Sequence, residues 1–161
     1  MWPLLRVEPR GQVALYAVLL FPVLMLVLAL VLTVGELEAQ RARLRAQLDM
    51  AALTATQALD LSALAAGAPP SLLTEEADAL AREYLARNLA AAGVPSAGSV
   101  AANAQVAIVS AGEVDPIRGT TVEAPTVSIR ASVPARLPMV TLIGLQPTVT
   151  VTVTGSAAAR T

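Results

Sequence analysis

The sequence predicts an α+β protein in which a long N-terminal transmembrane helix leads into a small domain. In that domain a second helix packs on roughly three antiparallel strands. Three observations predict this: an uncharged run at 13–34, a helix-forming stretch up to residue 66, and strand-like alternation in the last third. The expected parts are a short cytoplasmic N-terminus (1–12), the span (13–35), a continuation of the helix outside the membrane (36–66) and the α+β domain (71–161).

The uncharged run is long enough to cross a bilayer. Its 22 residues, VALYAVLLFPVLMLVLALVLTV, would span about 33 Å as a helix, against a hydrocarbon core of about 30 Å. A cleaved secretory signal has a shorter core followed by a small-residue site, whereas Gly35 and Glu36 follow this run. We therefore favour a retained span over a cleaved signal or a buried helix of a soluble protein, with a mild kink at Pro22.

Helical spacing continues beyond the span. Apolar or long side chains recur every three or four residues from Leu37 to Leu59, and Gly67 to Pro70 ends the pattern. A second helix is expected to begin near Ser71 or Thr74, with an apolar stripe at Leu73, Ala77, Leu80 and Tyr84.

The last third alternates with the period of a β-strand around 106–109, 127–133 and 149–153. One face of each strand is apolar and the other is polar, which is typical of an antiparallel sheet covered by helices on one side. We therefore expect Val127, Ile129, Val149, Val151 and Val153 to face the helices.

The composition excludes most catalytic chemistry. The 161 residues include no His and no Cys, and all 11 basic residues are Arg. This excludes Ser-His-Asp and Cys-His nucleophile systems, His or Cys zinc sites and lysine Schiff bases. A net charge of -1 without a basic cluster offers no binding surface for nucleic acid. We expect no enzyme activity, no cofactor, no metal, and neither nucleic acid nor a small-molecule substrate as a partner.

Three further features have alternative interpretations. Glu113 and Asp115 provide too few ligands for calcium, so we expect a solvated loop there. The apolar connection at 137–145 is either a lid over the core or a contact with the membrane or a partner. Asn88, on the apolar side of the second helix, is expected to bond a backbone group at a strand end.

The N-terminal third resembles a known family. Arg10 and Gly11 precede the span, Pro22 lies inside it and Gly35 ends it, and the segment LRAQLDMAALTA follows at 44–55. This arrangement resembles the TadE/TadG-like family of tight-adherence (Flp-type) pilus assembly proteins.

The resemblance implies a single-pass protein of the bacterial inner membrane whose C-terminal domain lies outside the cytoplasm. It implies an accessory or minor-pilin-like component of a pilus or secretion apparatus, in contact with lipid and with other subunits. Pseudopilin members carry Gly-x-x-x-x-Glu and are cut after the Gly. Here Tyr16 replaces that Glu, so cleavage between Gly11 and Gln12 is not favoured. The alternative function is a tethered or secreted binding module unrelated to pili.

The family-like segment also contains the candidate assembly contact, formed by Asp49, Ala51, Ala52, Leu53 and Ala55. Small side chains allow another backbone to approach closely, whether it belongs to the second helix, the sheet or a neighbouring subunit. Asp49 would then either bond exposed amides of the packed domain or lie solvated on a helix turn.

Overall fold

The computed structural model describes residues 9–136 and 148–159. Within these residues, four helices precede one three-stranded sheet, which confirms the predicted α+β class. The elements are α1 (Pro9–Ala55), α2 (Leu61–Ala65), α3 (Thr74–Ala91), α4 (Ala97–Ala102), β1 (Gln105–Val109), β2 (Thr126–Arg136) and β3 (Thr148–Ala158).

Helix α1 is the longest element. Its 47 residues extend over about 70 Å, and Pro22 lies inside the continuous helix. Among the described residues, α1 is the one helix long and apolar enough to cross a membrane by length and composition, and none of its apolar window is buried in the protein. The predicted span at 13–35 therefore lies within the N-terminal part of a single continuous helix.

The helix ends at Ala55, 11 residues before the predicted end at residue 66. The hydroxyls of Thr54 and Thr56 donate to the carbonyls of Met50 and Leu53, at 3.0 and 2.7 Å. Such local bonds compete with the helical ladder. The amide of Leu73 then donates to the carbonyl of Ala58 at 2.8 Å, so the chain turns back at this point.

Asp60 restarts the helical conformation as the N-cap of α2, because its side chain accepts from the amide of Ala63 at 2.9 Å. The hydroxyl of Ser62 also donates to this carboxylate. The bond from Ser62, followed by that from the Ala63 amide, holds the pKa of Asp60 below its ordinary value.

The sheet is antiparallel with the order β1-β2-β3. Helix α1 packs on α3, β3 and β2, and α3 packs on α4 and β1. The second half of α1 is therefore part of the domain core rather than a separate stalk. The stripe of α3 that is fully buried differs from the predicted one and contains Ala77, Ala81, Leu85 and Leu89.

The two faces of the sheet are covered unequally. Val127, Ile129, Val151 and Val153 are buried, as predicted, whereas Val149 is 36% exposed. The opposite face is not uniformly solvated, because Ser128 and Thr126 are also buried on β2. The connection at 110–125 lies over this end of β2, and the one-sided sheet is therefore correct only for its other end.

Candidate assembly site

The three alanines of the candidate contact pack against other parts of the same chain. Ala51, Ala52 and Ala55 are each 0% exposed and belong to one core cluster with Leu85 and Ile129. Their small side chains allow α1 to approach α3 and the sheet closely. Of the alternatives that the sequence left open, the structure shows contact with the second helix and the sheet.

Leu53 lies on the other side of α1 and is 52% exposed. Met50, three residues earlier and 58% exposed, shares that helix face. The sequence alone does not identify Met50 and Leu53 as one exposed surface, because helical spacing does not show which of the two apolar faces of α1 the domain covers. Leu53 and Met50 are the large apolar side chains of the family-like segment that remain exposed.

Asp49 bonds the sheet of its own chain. Its Oδ1 accepts from the amide of Ser156 at 2.9 Å, and its Oδ2 lies 3.9 Å from Nε of Arg45. The first bond realises one of the two roles expected for this carboxylate, since Ser156 is in β3.

Gly155 explains how Asp49 reaches the strand. A Cβ built on Gly155 would lie 2.6 Å from Cβ of Leu48 and 2.7 Å from the backbone N of Asp49. Real Cβ atoms do not approach other atoms so closely, so only glycine permits this contact between β3 and α1. Sequence alternation predicted β3 but gave no reason for a glycine at this position.

Asn88 also ties a helix to α1. Its Nδ2 donates to the carbonyl of Gln47 at 3.3 Å. The partner is a backbone group, as expected, but it belongs to α1 and not to a strand end.

Asp115 is wrongly predicted as part of a solvated loop. It is 0% exposed, and it accepts bonds from the Ser128 hydroxyl and from the amides of Ile117 and Arg118, the latter two at 2.7 and 3.3 Å. The carboxylate therefore organises the loop and fastens it to β2. Glu113, by contrast, is exposed and accepts from the amide of Ser110 at 3.2 Å.

The remaining predicted features are placed as follows. The candidate peptidase site, Gly11 and Gln12, falls within α1. The apolar connection at 137–145 lies outside the described residues. Across residues 9–136 and 148–159, no group of three or more His, Cys, Asp or Glu is arranged to hold a metal ion.

A known family model matches the chain over most of α1. Residues 11–58 match the Tad family model, described as "Putative Flp pilus-assembly TadE/G-like". The match confirms the resemblance read from the sequence, and it covers somewhat less than a third of the chain. It extends from two residues after the start of α1 to the turn beyond its end. No curated protein and no solved structure matches the chain.

Proposed function

We propose that this protein is an accessory, minor-pilin-like subunit of an Flp-type pilus assembly or secretion apparatus that acts through contacts with other subunits. The coincidence of the Tad match with α1 carries the proposal. In α1 the apolar run is continuous with the face that holds the domain, so the matched segment contains both the anchor and the platform for the domain.

The position of the domain on α1 supports an anchoring role. Leu37, two residues beyond Gly35, already packs against the core cluster, and Leu44 and Leu48 belong to that cluster. The domain therefore begins where the apolar run ends. We propose that α1 crosses the bacterial inner membrane once and holds the domain against its outer surface.

Assembly rather than catalysis is the role that the chemical groups favour. The chain has no His and no Cys, and the carboxylate that is fully buried, Asp115, is engaged in fastening a loop. The exposed pair of Met50 and Leu53 is the surface that we propose for a neighbouring subunit, because exposed apolar patches mark interaction sites.

Deletion and complementation in a host with an Flp-type pilus test this function. We expect deletion to remove surface pili counted by electron microscopy, and the wild-type chain to restore them. The double variant Met50→Asp with Leu53→Asp should reach the membrane but fail to restore pili, whereas the control Ala79→Asp, at an exposed position of α3, should succeed. Normal piliation after deletion would contradict the proposal and favour the tethered binding module.

The membrane arrangement is tested separately by cysteine labelling, because the native chain has no Cys. In spheroplasts, a membrane-impermeant maleimide should label Ala91→Cys, and it should label Arg6→Cys only after permeabilisation. The reverse pattern would contradict the proposed orientation. The intact mass should be near 16.5 kDa, whereas a mature chain that begins at Gln12 would show peptidase cleavage.

A further inference from the structure

One edge of β3 lacks, within the described part of the chain, the usual protection of an edge strand. Among residues 9–136 and 148–159, β3 has a neighbouring strand on one side only, in the order β1-β2-β3. It is 11 residues long, and the residues at 148–154 alternate Thr and Val without a charge or a proline. Natural edge strands are usually short, charged, interrupted or covered, because an open edge is a template for another strand.

The bond to Asp49 shows which backbone groups face this edge. The amide of Ser156 donates to Asp49 rather than to β2. In an antiparallel strand, alternate residues direct both N–H and C=O to the same side. The backbone groups of Thr150, Thr152 and Thr154 therefore also face away from β2. Asp49 occupies the edge at Ser156, so an added strand would extend from there towards Thr150.

A groove of about 390 Å³ lies beside this edge. Its walls are residues of α1 and of β3, namely Glu38, Arg41, Ala42, Arg45, Thr152, Val153 and Thr154. The charged side chains on α1 are already paired, with Arg41 2.8 Å from Glu38 and Arg45 3.9 Å from Asp49. The groove thus offers backbone groups, hydroxyls and small apolar surfaces, and it has no excess charge to select a charged occupant.

We propose that this groove binds an extended segment of a second protein, which adds to β3 as a fourth strand. The segment would be uncharged and would alternate small apolar with hydroxyl side chains. Its backbone would bond Thr150, Thr152 and Thr154, while its apolar side chains would contact Ala42 and Val153. This inference goes beyond the proposed function and does not require that the partner be a pilus subunit.

A second membrane-anchored copy fits this edge poorly. Gly155 contacts α1 at Leu48 and Asp49, and Thr152 to Thr154 face the earlier α1 residues, so α1 and β3 run in the same direction. Antiparallel pairing of two β3 edges would point the two α1 helices in opposite directions.

A second copy whose α1 runs in the same direction would pair its β1 with β3 in parallel, because β1 and β3 of one chain are both antiparallel to β2. This pairing would place the two copies three strands apart in one sheet. The twist of the sheet, at 20–25° per strand, would then rotate one copy relative to the other by about 60–75°. Two spans tilted by the average of about 20° in opposite directions differ by only about 40°. A flexible segment without its own rigid anchor meets neither obstacle.

A labelled peptide tests the proposal on the full chain in detergent. The probe carries the sequence of residues 148–154 between pairs of lysines, and fluorescence anisotropy measures its binding. We expect saturable binding, and binding at least about tenfold weaker when the central residue of the peptide is proline. Absence of saturable binding, or equal binding of both peptides, would overturn the proposal.

Two variants on α1 locate the binding without altering β3. Ala42→Trp fills the groove and should abolish peptide binding, whereas Ala46→Trp, at an exposed position outside the groove lining, should leave it unchanged. Thr152→Pro, which removes one edge N–H, should weaken binding at least about tenfold relative to Thr152→Ala. Equal binding to Ala42→Trp and Ala46→Trp would overturn the proposal even if Thr152→Pro failed to fold.

Cysteine crosslinking distinguishes the two sheet edges and the two kinds of occupant. A peptide with a terminal cysteine should form a disulfide with Thr154→Cys and not with Gln105→Cys, which lies on β1. In vesicles without peptide, Thr154→Cys should remain monomeric. Disulfide-linked dimers of the chain, or crosslinking through Gln105→Cys alone, would overturn the assignment of the occupant.

Discussion

Gly155→Ala tests the contact that joins the sheet to the membrane helix. The new Cβ would lie 2.6–2.8 Å from Leu48 Cβ, Asp49 N and Asp49 Oδ1. Two of these atoms cannot swing away, so α1 and β3 must separate by about 0.8 Å to reach ordinary contact distance. Overpacking costs about 1–3 kcal/mol, and disruption of the charged hydrogen bond to Ser156 adds about 1–3 kcal/mol.

We therefore expect Gly155→Ala to lower the free energy of unfolding by about 2–6 kcal/mol. Urea unfolding of the full chain in detergent, followed by circular dichroism, measures the change. Gly98→Ala is the matched control, because its Cβ would meet nothing within 4 Å and alanine favours a helix interior by about 0.5–1 kcal/mol. Equal unfolding midpoints for the two variants would refute the close approach of β3 to α1.

A double-mutant cycle separates the cost of overpacking from the cost of losing the hydrogen bond between Asp49 and Ser156. Asp49→Ala removes the acceptor of the Ser156 amide, whereas Asp49→Asn retains an acceptor oxygen. If Gly155→Ala already breaks this bond, then Asp49→Ala should cost less in that background than in the wild type, with a coupling of about 0.5–3 kcal/mol. Strict additivity would show that the bond survives the substitution and that steric overlap alone destabilises the variant.

Four further outcomes follow from the packing, each measured by unfolding of the full chain unless stated otherwise. Ala52→Leu should cost about 1–3 kcal/mol, since its site is filled by this chain's own core, and wild-type stability would contradict that burial. Val151→Asp should abolish folding because it buries an unpaired charge, whereas Thr152→Asp should change stability by less than about 0.5 kcal/mol; similar losses would show that both positions are buried. Asp115→Ala should cost about 2–5 kcal/mol, because three donors, two of them buried, lose their acceptor. The lowered pKa of Asp60 means that its stabilising effect is present above its unfolded pKa and is lost as pH falls through the folded value, so amide exchange in α2 should accelerate selectively under acid conditions.

The span and the three strands could be predicted because their signals are local. An uncharged run long enough for a bilayer needs no tertiary information, and strict alternation at 149–153 specifies both the strand and its buried face. Val149, near the start of β3, departs from this pattern and is 36% exposed, whereas Val151 is 2% exposed.

The role of a carboxylate could not be predicted in the same way. The sequence left two roles open for Asp49 and placed Asp115 in a solvated loop, whereas Asp49 bonds the edge of β3 and Asp115 is fully buried and bonded to Ser128 of β2. Their partners, Ser156 and Ser128, lie 107 and 13 residues away. No periodic pattern encodes such pairings, since they depend on which face of the sheet each segment crosses.

The same reasoning determines where another protein can approach. The alanine face of α1 is buried against the domain of the same chain. This packing at Ala51 and Ala52, together with the contact at Gly155 of β3, fixes the domain to the helix. A domain held this way cannot rotate freely about its anchor, so the membrane span also sets the direction in which the β3 edge faces. A strand that binds this edge as we propose would therefore enter alongside α1, just beyond the end of its apolar run. Substitutions that loosen the contact at Gly155 should weaken binding at β3 even though they lie outside the groove, and the peptide assay on Gly155→Ala measures this coupling directly.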